Sequence, residues 1–380
     1  MTRTMTQPTL SSMDLFTARQ HEQLLMFHHA ETGLRGAIAL HSTRRGPALG
    51  GTRWRPYPTT EAGVLDVLRL SEAMTYKAAV AGLPLGGGKA VLFADGKEQD
   101  APCRKERLLA YGRIIEGLGG AFITAEDANT TVDDMTIVRR MTRHVAGIAA
   151  AAGGGGDPSP VTAEGVLSGI RALAQEVLGC GALTNVPVAI QGLGKVGMAL
   201  AGLLVAEGAT VTACDVSVEA VEAARCTLGI GTVEPEAIYD VPCAIFAPCA
   251  YGGVLNDHTI PRLTCRIVAG SANNQLAEER HAEMLLVRGI VYAVDYVINA
   301  GGLVNVAAEL APGGYDAERA RLGVAGIGET LRRLLARARA QGISTERAAH
   351  QMAMEALAEA ALAPVRRAKS GRYVRQPARA

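Results

Sequence analysis

The chain has 380 residues, 48% of them hydrophobic and 20% charged, with a formal net charge of +1. That length suits two domains with large cores, and the 4% aromatic content makes those cores aliphatic and alanine-rich. The even charge gives no global pull toward nucleic acid or an acidic surface, and no run of about 18 apolar residues exists to span a membrane.

The N-terminal "MTRTMTQPTLSS" is polar and holds no apolar signal core. Residues 21–42 carry two strand-like runs, "EQLLMFHH" and "GAIALHS". Residues 60–80 read as a helix, capped by Thr59 or Thr60, with Glu61 in its first turn. Val64, Leu65, Leu68 and Ala73 form its apolar face. Then comes "GLPLGGGK", where Gly86, Gly87 and Gly88 precede Lys89. Ordering such a run costs much backbone entropy. It is not a phosphate-binding P-loop, which needs Ser or Thr after the lysine; here Ala90 follows. The glycines, directly before the strand "KAVLFA", are expected to let a small ligand approach the backbone beside Lys89.

"ERLLAYGRIIEGL" reads as a helix and "AFITAED" as a strand. "AAAGGGGDPSP" at 150–160 marks a domain boundary and hinge. From residue 186 short apolar runs alternate with helical ones, the pattern of a parallel sheet covered on both faces. After residue 316 the chain reads as helix to about 363. The last 16 residues hold six Lys or Arg and no acid, and are expected to be a solvated, frayed tail. Seven cysteines without a C-x-x-C pair point to a reduced, cytoplasmic protein. Eight histidines without an H-E-x-x-H cluster give no expectation of a metal site.

The fingerprint "GLGKVG" places Gly192, Gly194 and Gly197 between the strand "VPVAIQ" and an amphipathic helix. The next strand ends at Asp215. This context suits a dinucleotide. Gly192 permits the turn, Gly194 lets a pyrophosphate approach the helix N-terminus, and Gly197 lets helix and strand pack. Asp215 is expected to accept bonds from the ribose hydroxyls and to repel a 2′-phosphate, which favours NAD over NADP. Lys195, inside the motif, would lie near phosphate. Two lysines and an acid, Lys77, Lys89 and Asp127, can form a second constellation. One lysine would hold a carboxylate as a point charge, the other would activate water, and the acid would move protons.

Seven segments, "GPALGGTR", "MTYKAAVAGLPLGGGKAV", "ITAEDANTTVDDM", "GDPSPVTAEGV", "APCAYGGVLND", "AGSANNQL" and "DYVINAGGLVNVA", together resemble the amino-acid dehydrogenases of the Glu/Leu/Phe/Val family, most of all the leucine and valine branch. The resemblance runs from about residue 20 to about 355. It implies an α/β chain of two domains separated by a cleft: an N-terminal substrate-binding and oligomerisation domain (1–152), to which helices at about 330–363 return, and a Rossmann dinucleotide domain (160–329). The domains would close over substrate and cofactor at the hinge. The implied reaction is reversible NAD-dependent oxidative deamination of an L-amino acid to a 2-oxo acid and ammonia. By the same resemblance Lys89 is catalytic, Asp127 is its acid–base partner, and Lys77 with Asn274 binds the substrate carboxylate. Gly50 joins the substrate set, and Leu193, Val196 and Asn299 join the cofactor set. The resemblance also implies a homo-oligomer, dimer or octamer.

The resemblance assigns the side-chain pocket to Leu49, Met74, Ala125, Thr162, Leu303 and Val306, which suit an aliphatic substrate (Leu, Val or Ile). Three positions depart from the family pattern. Leu303 stands where leucine dehydrogenases carry Val, which would favour valine. Asn129 stands where they carry Gly and resembles members acting on phenylalanine or tryptophan. Val294 stands where the family carries Pro. An aromatic substrate is therefore the alternative within the same chemistry, and a non-catalytic NAD-binding sensor the alternative outside it.

Overall fold

The computed structural model describes residues 11–362, 365–367 and 373–375. The chain divides into two compact units. The first comprises residues up to Ala79, Pro84–Gly156 and the chain from Leu357 onward; the second comprises Val80–Leu83 and Asp157–Ala356. The main division thus falls between Gly156 and Asp157, inside the glycine-rich stretch.

The first unit contains α1 (Ser12–Ala18), β1 (Gln23–His29), β2 (Leu34–Ser42), β3 (Ala48–Arg55), α2 (Thr60–Val80), β4 (Gly86–Phe93), α3 (Ala101–Gly117), β5 (Phe122–Glu126) and α4 (Val132–Arg139). Its sheet has the order β1-β2-β4-β3-β5. β1–β2 and β2–β4 are antiparallel, while β3 is parallel to both β4 and β5. Both faces are covered. Leu34, Ile38 and Leu40 of β2 share one core with Leu108, Tyr111 and Ile115 of α3 and Met135 and Val138 of α4. Ala37 and Ala39, on the alternate face, pack with Leu15 of α1 and Val64, Val67 and Leu68 of α2. Thr59 caps α2, its hydroxyl accepting the Ala62 N–H at 3.1 Å.

The strand starts three residues earlier than expected, at the first glycine of the run. β4 begins at Gly86, and the three glycines are filled by the protein itself. A Cβ on Gly86 would stand 1.9 Å from the Ser42 carbonyl oxygen, and one on Gly87 2.1 Å from the Thr75 nitrogen. One on Gly88 would stand 2.7 Å from the Phe122 ring. The run has no side chains because α2 and β5 press against it. That packing explains why glycine stands at these three positions.

The second unit contains α5 (Ser159–Leu178), β6 (Pro187–Gln191), α6 (Lys195–Ala206), β7 (Thr210–Cys214), α7 (Val218–Leu228), β8 (Gly231–Thr232), β9 (Ile245–Pro248), β10 (Ile267–Val268), α8 (Arg280–Val287), β11 (Val291–Tyr292), α9 (Asp295–Ile298), α10 (Gly301–Glu309), α11 (Ala317–Gln341) and most of α12 (Thr345–Leu362). Its sheet is wholly parallel, ordered β11-β10-β9-β6-β7-β8. That is the doubly wound order, with its switch point between β6 and β9. Val294 precedes α9 with φ −50°, close to a proline's angle, so the valine keeps the backbone of a family proline.

Residues 330–356 group with the second unit, against the expectation that the C-terminal helices return to the first; only from Leu357 does the chain join the first unit. The cause is α11, whose apolar face lies along α5. Gly165 and Gly169 of α5 leave room for Ile327 and Leu331: a Cβ on either glycine would stand 2.7 Å from the facing side chain. The basic tail also departs from expectation in part. β12 (Val365–Arg367) and β13 (Tyr373–Arg375) pair as an antiparallel ladder, and the rest of that tail lies outside the described residues. Among the described residues no helix is long and apolar enough to cross a membrane.

Candidate active site

Lys89 and Asp127 come from strands that are not neighbours, because β3 runs between β4 and β5. The offset between β3 and β4 sets Gly51 level with Lys89, and Gly51 pairs with Ala125 of β5. A Cβ at Gly51 would stand 2.8 Å from the Asp127 Cβ. With no side chain there, the Lys89 amine reaches across β3 and meets the acid, Nζ to Oδ2 at 2.7 Å. Lys89 itself is 7% exposed. Asp127 is fixed by its own turn: Thr130 Oγ1 accepts the Asp127 N–H at 2.9 Å and donates to the Thr52 carbonyl at 2.7 Å.

Arg53 lies two residues beyond Gly51, on the same face of β3. Its Nε stands 3.2 Å from the same Oδ2 of Asp127. Its Nη1 reaches Asp66 Oδ2 of α2 at 3.1 Å, and that oxygen also accepts the Tyr57 hydroxyl at 2.6 Å. Burial pushes the Asp127 carboxyl up, but Lys89 and Arg53 outweigh it and bring it down to about 2. Burial and the bond to Asp66 push the Tyr57 hydroxyl up. Gly51, Arg53, Asp66 and Tyr57 were not among the expected site residues. Arg53 stands at the end of the quoted "GPALGGTR", but its partners are 13 and 74 residues away.

Met74 and Lys77 lie three residues apart on α2, hence on one face, and both are partly buried. Leu49 is 1% and Ala125 7% exposed, so both lie inside the first unit. Gly50 lies where β3 meets β4; a Cβ there would fall on the Gly88 carbonyl oxygen, 1.7 Å away. Asn129 has φ +62°, a left-handed angle that asparagine tolerates and that glycine commonly supplies. Its carbonyl accepts Arg104 Nη2 at 2.8 Å and its side chain is exposed. The left-handed angle suits both Gly and Asn at this position.

In the second unit the fingerprint glycines divide into two kinds. Gly192 has φ +102°, and a Cβ on it would stand 2.7 Å from the Ala250 Cβ, across the switch point. A Cβ on Gly197 would stand 2.0 Å from the Gly192 carbonyl oxygen. Gly194, the residue before α6, has nothing within 4 Å of a Cβ. Two glycines serve the turn and the helix packing, and one faces open space at a helix N-terminus. Val196 follows in the first turn of α6, partly buried.

Asp215 already accepts two backbone donors. Its Oδ2 accepts the Leu193 N–H at 2.6 Å and its Oδ1 the Ser217 N–H at 2.8 Å. It braces the glycine turn from below, and each oxygen keeps a further lone pair for a ligand hydroxyl. Lys195 is ion-paired with Asp157 at 3.1 Å. Asn299 is buried, its amide donating to the Ser271 carbonyl at 3.1 Å and to Asn273 Oδ1 at 2.7 Å. Asn274, next in that loop, is exposed with φ +51°. Thr162 turns its hydroxyl back to the Pro158 carbonyl at 2.8 Å, so it presents its methyl group as the free end. Leu303 and Val306 lie on α10, 7% and 9% exposed.

Among the described residues, Asp257, Glu278 and His281 lie close enough together to hold a cation. The position is already served by Arg280, whose Nη1 meets Asp257 Oδ1 at 2.7 Å and whose Nε meets Glu278 Oε2 at 3.0 Å.

Two family descriptions match in chain order: "Glu/Leu/Phe/Val dehydrogenase, dimerisation domain" over residues 21–144, and "Glutamate/Leucine/Phenylalanine/Valine dehydrogenase" over residues 216–368. Leucine dehydrogenase of Thermoactinomyces intermedius is 48% identical over 342 residues, 90% of this chain and 92% of that protein. Leucine dehydrogenase of Bacillus cereus is 46% identical over 350 residues, 92% of this chain and 94% of that protein. The crystal structure of L-tryptophan dehydrogenase from Nostoc punctiforme superposes with a TM-score of 0.80 at 41% identity, covering 92% of this chain and 99% of the other. With its mixed-sheet first unit, its doubly wound second unit and these matches along both, the chain belongs to the Glu/Leu/Phe/Val dehydrogenase family and is an amino-acid dehydrogenase.

Proposed function

We propose that the protein carries out NAD-dependent oxidative deamination of a branched-chain aliphatic L-amino acid to its 2-oxo acid and ammonia. The observation that carries this reading is the pair formed by buried Lys89 and half-buried Asp127 at 2.7 Å, in a chain 46–48% identical to two leucine dehydrogenases. The nicotinamide supplies the hydride acceptor. Once the Cα hydride has left, the substrate is an imino acid. Asp127, ionised at rest, takes a proton from the substrate ammonium before the hydride leaves; Lys89, as the neutral amine, then takes the proton of the water that attacks the imino carbon, and Asp127 returns its proton to the departing nitrogen. Lys77 binds the substrate carboxylate as a point charge, with Asn274 as second donor.

The second unit suits the dinucleotide. Open space at Gly194 leaves room for a pyrophosphate where the free N–H groups of α6 point. Asp215 favours NAD through the lone pairs left to its two oxygens, with Leu193, Lys195, Val196 and Asn299 around the turn and the adjoining loop. Because Asp215 also holds the Leu193 N–H, Asp215→Ala loosens the turn itself. Bonds from backbone N–H to a carboxylate are worth about 1.5–3 kcal/mol. The KM for NAD is expected to rise at least about tenfold, and NADP is expected to gain little in absolute terms. Improved kcat/KM with NADP would instead assign Asp215 to discrimination alone. Lys77→Ala is expected to raise the KM for the amino acid roughly tenfold or more and to change kcat far less. An unchanged KM would remove Lys77 from carboxylate binding.

Leu49, Met74, Ala125, Thr162, Leu303 and Val306 offer no charge to pair with a charged side chain, which supports an aliphatic substrate. An aromatic substrate is the second reading, favoured by the likeness to L-tryptophan dehydrogenase. NADH formation at alkaline pH across L-Leu, L-Val, L-Ile, L-Phe, L-Trp, L-Glu and L-Ala separates them. Fastest turnover on Leu, Val or Ile supports the first reading, and fastest turnover on Phe or Trp replaces it with the second. No turnover with NAD still bound would point to a sensor.

A further inference from the structure

We propose that Arg53 is a positioning residue for the reaction, a guanidinium that holds Asp127 in its working orientation and is itself braced by Asp66 and Tyr57. This rests on the reading of Asp127 as the proton carrier. Both cations that meet Asp127 do so at one oxygen, Oδ2: Lys89 Nζ at 2.7 Å and Arg53 Nε at 3.2 Å. The nearest contacts of both cations thus fall on one oxygen, and the Ala128 backbone also bonds the carboxylate. With both cations closest to Oδ2, that oxygen is the poorer proton acceptor, and the orientation they set decides where Oδ1 is aimed.

Lys89 cannot supply the orientation alone. An ammonium is a point charge on a flexible stem, and in the proposed reaction it changes its own protonation. Arg53 stays charged and planar throughout. Its fork spans two acids, with Nε toward Asp127 and Nη1 toward Asp66 at 3.1 Å. Asp66 is in turn held by the Tyr57 hydroxyl at 2.6 Å. The chain Tyr57–Asp66–Arg53–Asp127 thus ties the acid at the end of β5 to α2, the helix that carries Met74 and Lys77. One brace sets both the proton carrier and the helix expected to hold the substrate carboxylate.

The test is steady-state kinetics on the full-length enzyme with its best amino acid from the panel. Arg53→Met is expected to lose kcat by roughly a hundredfold, the scale of a misplaced reacting group. The KM for NAD should stay within about threefold. Arg53→Lys keeps the charge without the fork and should recover only part of the loss. In Arg53→Ala, added methylguanidinium should restore kcat saturably, whereas methylammonium should not; a purely structural residue would show no such selectivity. If Arg53→Met does not fold, Asp66→Asn and Tyr57→Phe leave Asp127 untouched and should each lower kcat, Asp66→Asn the more. Wild-type kcat in the Arg53 variants, or in both Asp66→Asn and Tyr57→Phe, overturns the inference if Asp127→Asn is inactive. An active Asp127→Asn overturns the proton-carrier reading, and the positioning inference falls with it.

Discussion

Lys89→Ala is expected to lower amino-acid turnover by about 10²–10⁴-fold, the usual contribution of a positioned acid–base group, while calorimetric titration still shows NAD binding. The loss has two sources. The amine proposed to take the water proton is gone, and Asp127 loses the nearer of its two cations. Arg53 remains at 3.2 Å, so the carboxylate is not left without a partner. In the wild-type protein burial pushes that carboxyl up, and Lys89 leads the groups that bring it to about 2. In the variant burial regains ground and the carboxyl rises. The sign of the stability effect follows. A folded-state value below the roughly 3.9 of an unfolded aspartate stabilises the fold above that pH, and the contribution is lost as pH falls toward 2. Wild-type protein should therefore melt above Lys89→Ala at neutral pH, and the gap should close as pH falls from about 5 toward 2. A melting gap that widens in acid would mean that the pair does not hold Asp127 ionised. Wild-type turnover in Lys89→Ala would remove the lysine from the chemistry.

The residues legible in the sequence are those whose role is set locally. Gly192 and Gly197 follow from a strand, a tight turn and a helix within ten residues, and alternation of short apolar runs from residue 186 suffices for a parallel sheet. Lys77, Lys89 and Asp127 stand out through their motifs. What sequence hides is the partner across the sheet. Gly86–Gly88 reads as open backbone because nothing in a linear string shows Thr75 or Phe122 pressing on it. Arg53 reads as an ordinary charge because Asp66 and Asp127 reach it only through folding. The string also gives no sign of the two backbone N–H donors, from Leu193 and Ser217, that Asp215 accepts. Asn129 is of a related kind, because its left-handed backbone angle does not show in the string. The C-terminal helices follow the same rule. Their grouping depends on Gly165 and Gly169 of α5, some 160 residues upstream.

Gly87→Ala, one added methyl group, is expected to damage both stability and substrate binding. Its carbon would stand 2.1 Å from the Thr75 nitrogen, 2.3 Å from Thr75 Oγ1 and 2.5 Å from Thr75 Cα. Those are mostly backbone atoms of α2, so no rotamer change relieves the clash. Nor can Thr75 retreat freely, since its hydroxyl is bonded from behind to His41 Nδ1 at 2.8 Å. Either β4 or α2 must shift. Overpacking of this kind costs about 1–3 kcal/mol, which for a domain of 150–250 residues lowers Tm by roughly 2–4 °C per kcal/mol. Because α2 also carries Asp66, Met74 and Lys77, the same shift should raise the KM for the amino acid while the KM for NAD holds. Gly117→Ala, at the end of α3, is the matched control. A Cβ there has nothing within 4 Å, so the substitution should be neutral or stabilise by up to about 1 kcal/mol through backbone entropy. Wild-type Tm and KM in Gly87→Ala would mean that α2 yields at no cost, and the glycine run would then need an explanation other than packing.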